Sequence, residues 1–321
     1  MKKFLSLILI SSVVTIFLPV ALLKENLSSA ENAFAAQTST GTTTENRDTI
    51  TVFRTAINDS SEMEFFEYVC GSVAAEMPLS YHEEALKAQA IACYTNALRL
   101  KNSSEEDATY HISDDSSVHQ GYLSEEQRKE KWGEDFEKYE SKLHSVVKSV
   151  ENIAIYYEDV PCIAAFHAIC SGRTESAENI WGEKVPYLVS VKSSGDNLSP
   201  QYSSVVIFEK TDFIEIAKEL TESKKTGSLK NIISIKEKTK AGTVIKATLN
   251  KKEFTGDEIR KAFSLKSPVF TVKCTEKTVT FNVVGYGHGI GMSQYGADFM
   301  ARQGSTYEEI LRHYYKGVEI K

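Results

Sequence analysis

Apolar positions along the 321-residue chain fall into two regimes. The first is a run from Phe4 to Leu23, 20 residues of which 15 are apolar and none charged, behind Lys2 and Lys3. About 20 apolar residues span a bilayer as a helix. A cleavable secretory signal has a shorter core with a small-residue site close behind it. Here the site, Ala33-Phe34-Ala35, lies beyond Lys24 and Glu25. The run therefore reads as an uncleaved anchor, with a cleaved signal as the alternative, and either exports the rest of the chain. The basic pair favours a cytoplasmic amino terminus. From Asn26 to about Asp48 the chain is rich in Ser, Thr, Ala and Asn and has no hydrophobic period, which reads as a flexible tether.

The second regime is periodic. Thr49 to Thr55 alternates weakly and predicts a strand. Glu62 to Ala75 places Phe65, Phe66, Val69, Val73 and Ala74 at helical spacing. Pro78 predicts its end, because the residue before proline is driven out of the α region. Ser80 with Glu83 has the capping-box spacing and predicts a second helix to about Leu100. A Met77-Pro78-Leu79 elbow then joins two helices. Ser124 to Glu140 predicts a solvated helix, continued by Lys142 to Glu151. Ile153 to Tyr157 and Cys162 to Ile169 read as strands.

Four strand-like runs (Ile232 to Lys238, Thr243 to Leu249, Val269 to Lys273, Thr278 to Val283) and two short helices (Phe213 to Leu220, Glu258 to Phe263) fall between Ser203 and Val284. Two short helices close the chain, the last starting at Ser305 with Glu308 three residues on. The expectation is an α+β fold: a mixed helical and strand catalytic domain over 49–202 and 284–321, a smaller α+β subdomain inserted at 203–283, a membrane anchor at 1–24 and a linker at 25–48.

Composition changes this picture little, but charge does. The formal net charge of −7 argues against a dedicated nucleic-acid binder. It is also a balance of opposites. Ser103 to Glu140 holds 12 Asp or Glu against 4 Lys or Arg, a local −8, while Lys224 to Lys252 holds 9 Lys against Glu237 alone, a local +8. The lysine run suits either an anionic polymer or the solvent faces of strands. Five cysteines leave at least one thiol unpaired within the chain.

Three constellations could carry chemistry. Glu76 ends an apolar helix; burial and the helix dipole both disfavour its anion and raise its pKa. A carboxylic acid kept protonated near neutrality suits protonation of a glycosidic oxygen, although a solvated glutamate fits the same position. Lys87, one turn into the next helix, would oppose the shift if it approached. The block Gly285 to Gly296 lacks the Gly-Lys-Ser/Thr of a phosphate loop and the second strand of a dinucleotide fold. It reads as a tight polar loop presenting His288, Ser293, Gln294 and Tyr295. Cys162, His167 and Cys170 invite a nucleophile or a zinc site, but on a regular strand His167 points away from both thiols. A structural thiol, or a disulfide from Cys170, is the plainer reading. His111, Asp114, Asp115 and His119 form a loose polar cluster whose spacing matches no standard metal site.

Together, Val73-Ala-Ala-Glu76-Met77-Pro78, Glu84-Ala-Leu-Lys87-Ala-Gln89-Ala, Phe166-His-Ala-Ile-Cys-Ser-Gly172-Arg-Thr and Gly285-Tyr-Gly-His-Gly-Ile-Gly-Met-Ser-Gln-Tyr-Gly-Ala297 resemble the stage II sporulation protein D family, which also includes amidase-enhancer proteins. The ending Tyr307-Glu-Glu-Ile-Leu-Arg-His-Tyr-Tyr-Lys-Gly317 is similar too. The resemblance implies a membrane-anchored peptidoglycan lytic transglycosylase that cuts denuded glycan strands during engulfment. A non-enzymatic wall-binding protein that stimulates an amidase is the main rival, and a Cys/His peptidase using Cys170 a third reading.

By resemblance the family's catalytic glutamate falls on Glu76 and its motif lysine on Lys87. Lys87, Gln120, Tyr122, His167, Gly172, Arg173, His288, Ser293, Gln294 and Tyr295 are then expected to bind the sugar. The family's Ala-Arg-Thr reads Cys93-Tyr94-Thr95 here, so Tyr94 replaces a basic residue. The zinc-binding thiols of some members correspond to Ser113 and His119, so no metal and no cofactor is implied. Expected partners are glycan strands, a sporulation amidase and an integral-membrane scaffold, with no nucleic acid. The expected location is the cell membrane, single-pass, with the catalytic domain on the extracytoplasmic side.

Overall fold

The computed structural model describes residues 49–116, 118–223 and 228–321. The expected anchor and tether, and the start of the lysine run, lie outside the described residues. Among the described residues no helix is long and apolar enough to cross a membrane.

The fold is mixed α and β. It opens with a hairpin: β1 (Thr49–Arg54) runs antiparallel to β2 (Asp59–Glu64), and β1 also pairs in parallel with β3 (Ile112–Ser113). The predicted first helix is thus shorter at its start. Glu62 to Glu64 belong to β2, where pairing with Thr49 to Thr51 outweighs their weak β propensity. Helix α1 (Phe65–Glu76) follows directly. Its buried residues, Phe65, Tyr68, Val69, Cys70, Gly71, Ser72, Val73 and Ala74, cover most of its circumference, as in a core helix. Gly71 is required there: a Cβ would lie 2.3 Å from the Tyr122 ring and 2.7 Å from the Leu123 carbonyl. Met77 turns extended (φ −129°, ψ 138°) ahead of Pro78 and ends the helix.

Helix α2 (Glu83–Ser103) packs against α1 and lies at the centre of the larger core. Its cap is not the Ser80 box. His82 is the N-cap, and its ring accepts the Glu84 N–H at 3.3 Å. The acidic stretch forms two helices rather than one, α3 (Glu125–Trp132) and α4 (Phe136–Ser149), because Gly133 adopts φ +52° and stops the first. The Ser124/Gln127 capping box begins α3.

Beyond a short antiparallel pair, β4 (Ile155–Tyr157) and β5 (Val160–Pro161), the predicted strand Cys162 to Ile169 survives only as β6 (Phe166–His167). The surrounding backbone instead bonds outward: Ile169 exchanges bonds with Tyr286, and Ala165 accepts the Met292 N–H. β6 pairs in parallel with β13 (Met292–Ser293). Short helix α5 (Ala177–Trp181) follows. The chain closes with α8 (Gln294–Arg302), α9 (Tyr307–Tyr314) and β14 (Glu319–Ile320), the last pairing with β4. The final helix is capped by Thr306 with Glu309, one residue later than the predicted Ser305 box.

A second hydrophobic cluster is separate from the first. It draws on residues between Val206 and Val283 only, with Phe281 among Phe208, Phe213, Phe263 and Phe270. Two three-stranded antiparallel sheets enclose it. One, in order β10-β9-β8, comprises β8 (Ile233–Lys238), β9 (Val244–Leu249) and β10 (Lys252–Phe254). The other, in order β11-β12-β7, comprises β7 (Ser203–Glu209), β11 (Phe270–Cys274) and β12 (Thr278–Val284). Helices α6 (Lys210–Thr221) and α7 (Gly256–Ala262) pack with them. β7 and β10 were not evident in the hydrophobic pattern.

Candidate active site

Glu76 is the last residue of α1, so its side chain leaves the helix where the backbone carbonyls are unpaired. The residue keeps part of its surface exposed, but its carboxyl lies deep among protein atoms. Oε1 accepts a hydrogen bond from the Gly121 N–H at 2.6 Å. Burial pushes the carboxyl up to about 7, against the Gly121 bond and the positive charge of Lys131. Among the described residues no second carboxylate shifts it. Lys131 reaches over from α3, and its ammonium donates to the Ala74 carbonyl at 2.8 Å, supplying a cation where the α1 dipole is negative. Lys87 does not take that place. It pairs with Glu84 at 2.7 Å, and Glu84 also accepts the Tyr307 N–H at 2.7 Å, which turns the lysine toward α9.

The residues flanking Gly121 fix its N–H. Gln120 is buried; its amide donates to the Cys93 carbonyl at 3.0 Å and the Tyr68 hydroxyl at 3.1 Å, and its oxygen accepts from Asn96 at 3.4 Å. Tyr122 stacks on Tyr68, centroids 5.8 Å apart and planes 8° apart, with the Arg54 guanidinium 4.8 Å from its ring centre. Gly121 is held between them and close under the acid: a Cβ there would be 3.0 Å from Oε1 of Glu76 and 3.1 Å from the Ala75 Cβ. The elbow after Glu76 is also pinned. Lys142 donates to the carbonyls of Leu79 and Tyr81, both at 2.8 Å, and Asp298 of α8 accepts the His82 N–H at 2.7 Å.

The glycine-rich block closes along the segment from Ala165 to Glu175. Ala168 accepts the Tyr295 N–H at 3.0 Å, and Gly289 accepts the Glu175 N–H at 2.7 Å. Gly291 must be glycine: it has φ +71°, and a Cβ would lie 1.9 Å from the Ala165 carbonyl oxygen. His167 and His288 come together, ring centroids 5.8 Å apart. His167 donates from Nδ1 to the Ile290 carbonyl, and His288 Nδ1 accepts the Ile290 N–H, each at 3.1 Å. Both rings sit well below the ordinary histidine value: burial is the main cause, then the neighbouring His288 for His167 and Arg260 for His288. They are neutral at pH 7.

Of the other expected sugar contacts, Ser293 and Gln294 are turned inward. Ser293 is the N-cap of α8; it accepts the Gly296 N–H at 3.2 Å and donates to Asp196 at 2.5 Å. Gln294 bonds Gln89 of α2 at 3.2 Å, and Gln89 in turn bonds the Cys93 sulfur at 3.3 Å. Tyr295 is half-buried and edge-on to Tyr81 of the elbow, centroids 6.2 Å apart. Gly172 turns with φ +98°, and exposed Arg173 bonds Ser190 at 3.1 Å. Among the described residues, Gly121 alone of these groups bonds the Glu76 carboxyl directly. The Gln294–Gln89–Cys93–Gln120 chain joins the glycine-rich block to it.

Sequence reasoning missed Gly121, Tyr68, Lys131 and Asp196. Asp196 is fully buried and gathers Cys170 N–H at 2.8 Å, Cys170 Sγ at 3.4 Å, Ser293 and Ser193. Ser193 is also 2.7 Å from the Tyr314 hydroxyl. This carboxylate therefore ties the 170–174 turn to the start of α8. Its sequence neighbourhood, Ser-Gly-Asp-Asn-Leu-Ser, reads as an ordinary loop.

The cysteine alternatives lose ground. All five thiols are free, and burial raises each of them; the Cys170 thiol donates to the Asp196 carboxylate, whose negative charge disfavours the thiolate further. The polar cluster at 111–119 is used in local bonding. His111 and His119 accept the N–H groups of Thr51 and Ser113, and Asp114 holds Arg54 and Thr55. Tyr94 lies away from Glu76, edge-on to Phe65 at 5.1 Å. It lines a cavity of about 280 Å³ with Phe65, Phe66, Val69 and Val150 near the start of α1.

Known proteins resemble the chain over most of its length. A family model described as a stage II sporulation protein matches residues 54–157, which include Glu76, Lys87 and Gly121. Stage II sporulation protein D of Bacillus subtilis (strain 168) is 37% identical over 274 residues, covering 84% of this chain and 78% of that protein. The protein of the same name from Bacillus amyloliquefaciens is 36% identical over the same shares. An amidase enhancer of Bacillus subtilis is 26% identical over 302 residues, 78% of this chain but 40% of the relative.

Proposed function

The chain belongs to the stage II sporulation protein D family, and from that premise we propose that it is a peptidoglycan lytic transglycosylase acting in engulfment. The observation that carries this reading is the Glu76 carboxyl, without a second carboxylate acting on it among the described residues, buried to a pKa of about 7 and anchored on one oxygen by Gly121. With Oε1 occupied, Oε2 is left to carry the proton. Near neutrality the acid and its anion are both populated, which suits a group that must first give a proton and then take one.

The reaction follows from that single group. Protonated Glu76 donates to the glycosidic oxygen between N-acetylmuramic acid and N-acetylglucosamine. The C1–O bond breaks, its electron pair stays with the leaving oxygen, and oxocarbenium character develops at C1. The muramic 6-hydroxyl oxygen attacks C1 and its proton passes to the Glu76 carboxylate. The product is a 1,6-anhydro end, the acid is regenerated and no water is consumed. A second carboxylate, needed by ordinary glycosidases, is not needed. The Gly121 N–H and Lys131 stabilise the anionic half of this cycle.

Lys87, Tyr122, Gly172, Arg173, His288 and Tyr295 keep exposed or half-buried surface for sugar contacts. Gln120, His167, Ser293 and Gln294 act through the backbone they hold. The neutral histidines add no charge against the oxocarbenium. The amino-terminal apolar run would anchor the chain in the cell membrane, with the catalytic region outside the cytoplasm. A sporulation amidase would strip the glycan beforehand, and an integral-membrane scaffold would hold the two enzymes together. The rival reading, a wall-binding amidase enhancer, draws on the relative of that name. Incubating the protein with denuded glycan and analysing products by mass spectrometry separates the two. Lytic action yields 1,6-anhydro ends; folded protein that yields none contradicts it.

A further inference from the structure

One edge of the sheet β11-β12-β7 is open. β7 pairs with β12 over seven consecutive residues, from Ser203↔Val284 to Glu209↔Thr278, without a bulge. Among the described residues no strand pairs with its other side. The N–H and C=O groups of alternate residues therefore face outward along the strand without a strand partner.

The side chains of β7 alternate strictly. Val206 and Phe208 pack on the second cluster, while Ser203, Val205, Ile207 and Glu209 face out. Val205 is 60% and Ile207 62% exposed, two large apolar groups side by side on one sheet face. Open edges are normally blunted by a proline, a bulge, a mid-strand lysine or an inward-pointing charge. Ser-Ser-Val-Val-Ile-Phe-Glu has none of these.

We propose that β7 pairs with β7 of a second copy of this chain, about a two-fold axis at Val206. Symmetry and ladder geometry select that register. Residues opposed in an antiparallel pair are either both hydrogen-bonded or both not. Opposed residues of two identical strands must then share parity, so the axis passes through a residue. The axis that keeps all seven residues paired passes through Val206. It sets Val205 against the partner's Ile207, Ile207 against the partner's Val205, and Glu209 against the partner's Ser203.

The charges are compatible with this pairing. Like charges never face each other across the axis, and Lys210, just beyond the strand, meets the partner's Tyr202. On the same face, β12 contributes Thr278, Thr280 and Asn282, none of them charged. The contact is isologous and closed, which excludes open-ended stacking. The two sheets become one of six strands, and each exposed apolar residue gains an apolar cross-strand neighbour. This assignment is independent of the reaction proposed above.

Sedimentation velocity on the full chain in density-matched detergent tests it. Wild type should sediment as a concentration-dependent dimer. Val205→Lys with Ile207→Lys sets lysine against lysine and should give a monomer. Val205→Lys with Ile207→Glu sets lysine against glutamate and should restore the dimer. These are surface positions, and circular dichroism would show all three proteins equally folded. A monomeric wild type overturns the proposal, as does a dimer unaffected by the double lysine. A folded lysine–glutamate variant that stays monomeric overturns the register.

Discussion

The Gly121 N–H donates to Oε1 of Glu76 at 2.6 Å, across 45 residues of sequence. That bond gives the acid one fixed oxygen and one available oxygen. Gly121→Ala should disturb it, because the new Cβ would press to 3.0 Å from Oε1. The expected outcome is a fall in kcat of about 10-fold or more from lost orientation, with a smaller change in KM. Steady-state kinetics on defined glycan strands checks this. An unchanged kcat would show that the bond plays no part in the reaction.

Burial of Glu76 has a consequence for stability. Its folded pKa, about 7, lies above the unfolded value near 4.5. Between those values the folded state binds more protons, so stability falls as pH rises through the window. Glu76→Gln escapes that penalty. The variant should gain on wild type by ~1–3 kcal/mol between pH 4.5 and 7, and level off above. Urea denaturation of both proteins across this range measures the difference. A constant difference would mean that the carboxyl is not buried.

Asp196 makes a different prediction. Its carboxylate accepts from Cys170, Ser193 and Ser293 at once. Asp196→Ala leaves these buried donors unpaired and should cost ~3 kcal/mol or more, while Asp196→Asn keeps part of the set and should cost less. Thermal unfolding of the two variants gives the order. Equal, small losses would mean that Ser293 and Cys170 find other partners.

The second hydrophobic cluster should be separable. Phe281 is fully buried and lies within 6.4 Å, centroid to centroid, of four other phenylalanines. Phe281→Ala should cost about 3–5 kcal/mol. If residues 203–283 are an inserted domain, calorimetry should show this loss in one transition and leave a second transition in place. A single transition lowered as a whole would mean that the two clusters unfold together.

Much of the fold was legible because local signals and tertiary structure agree. Met77 and Pro78 end α1 where the pattern places the break, which is why Glu76 could be picked out as a helix-end carboxyl. Failures came where a distant partner decided the outcome. Glu62 to Glu64 are strand because Thr49 to Thr51 lie beside them. Cys162 to Ile169 looks like a strand, but the N–H groups of Cys162, Ile163 and Ala164 go to Ile155, Tyr187 and Asn96, and Ala165, Ala168 and Ile169 bond the glycine-rich block. Within the site, residue types were easier to see than orientation. Gln120 and Gln294 read as polar and available, yet Gln120 is committed to Tyr68 and Cys93, and Gln294 to Gln89, 205 residues away. Lys87 went to Glu84, and Lys131, in an otherwise unremarkable charged helix, came to Glu76.

The central claim is that one carboxyl both gives and takes the proton. The most direct measurement is the rate of 1,6-anhydro end formation by wild type and by Glu76→Gln on the same denuded glycan, with strand binding measured in parallel. Glutamine keeps the shape and can still accept from Gly121, but it cannot donate an acidic proton. The account predicts a loss of at least about 10²-fold in rate with binding retained. Glu76→Gln forming these ends at the wild-type rate would contradict it.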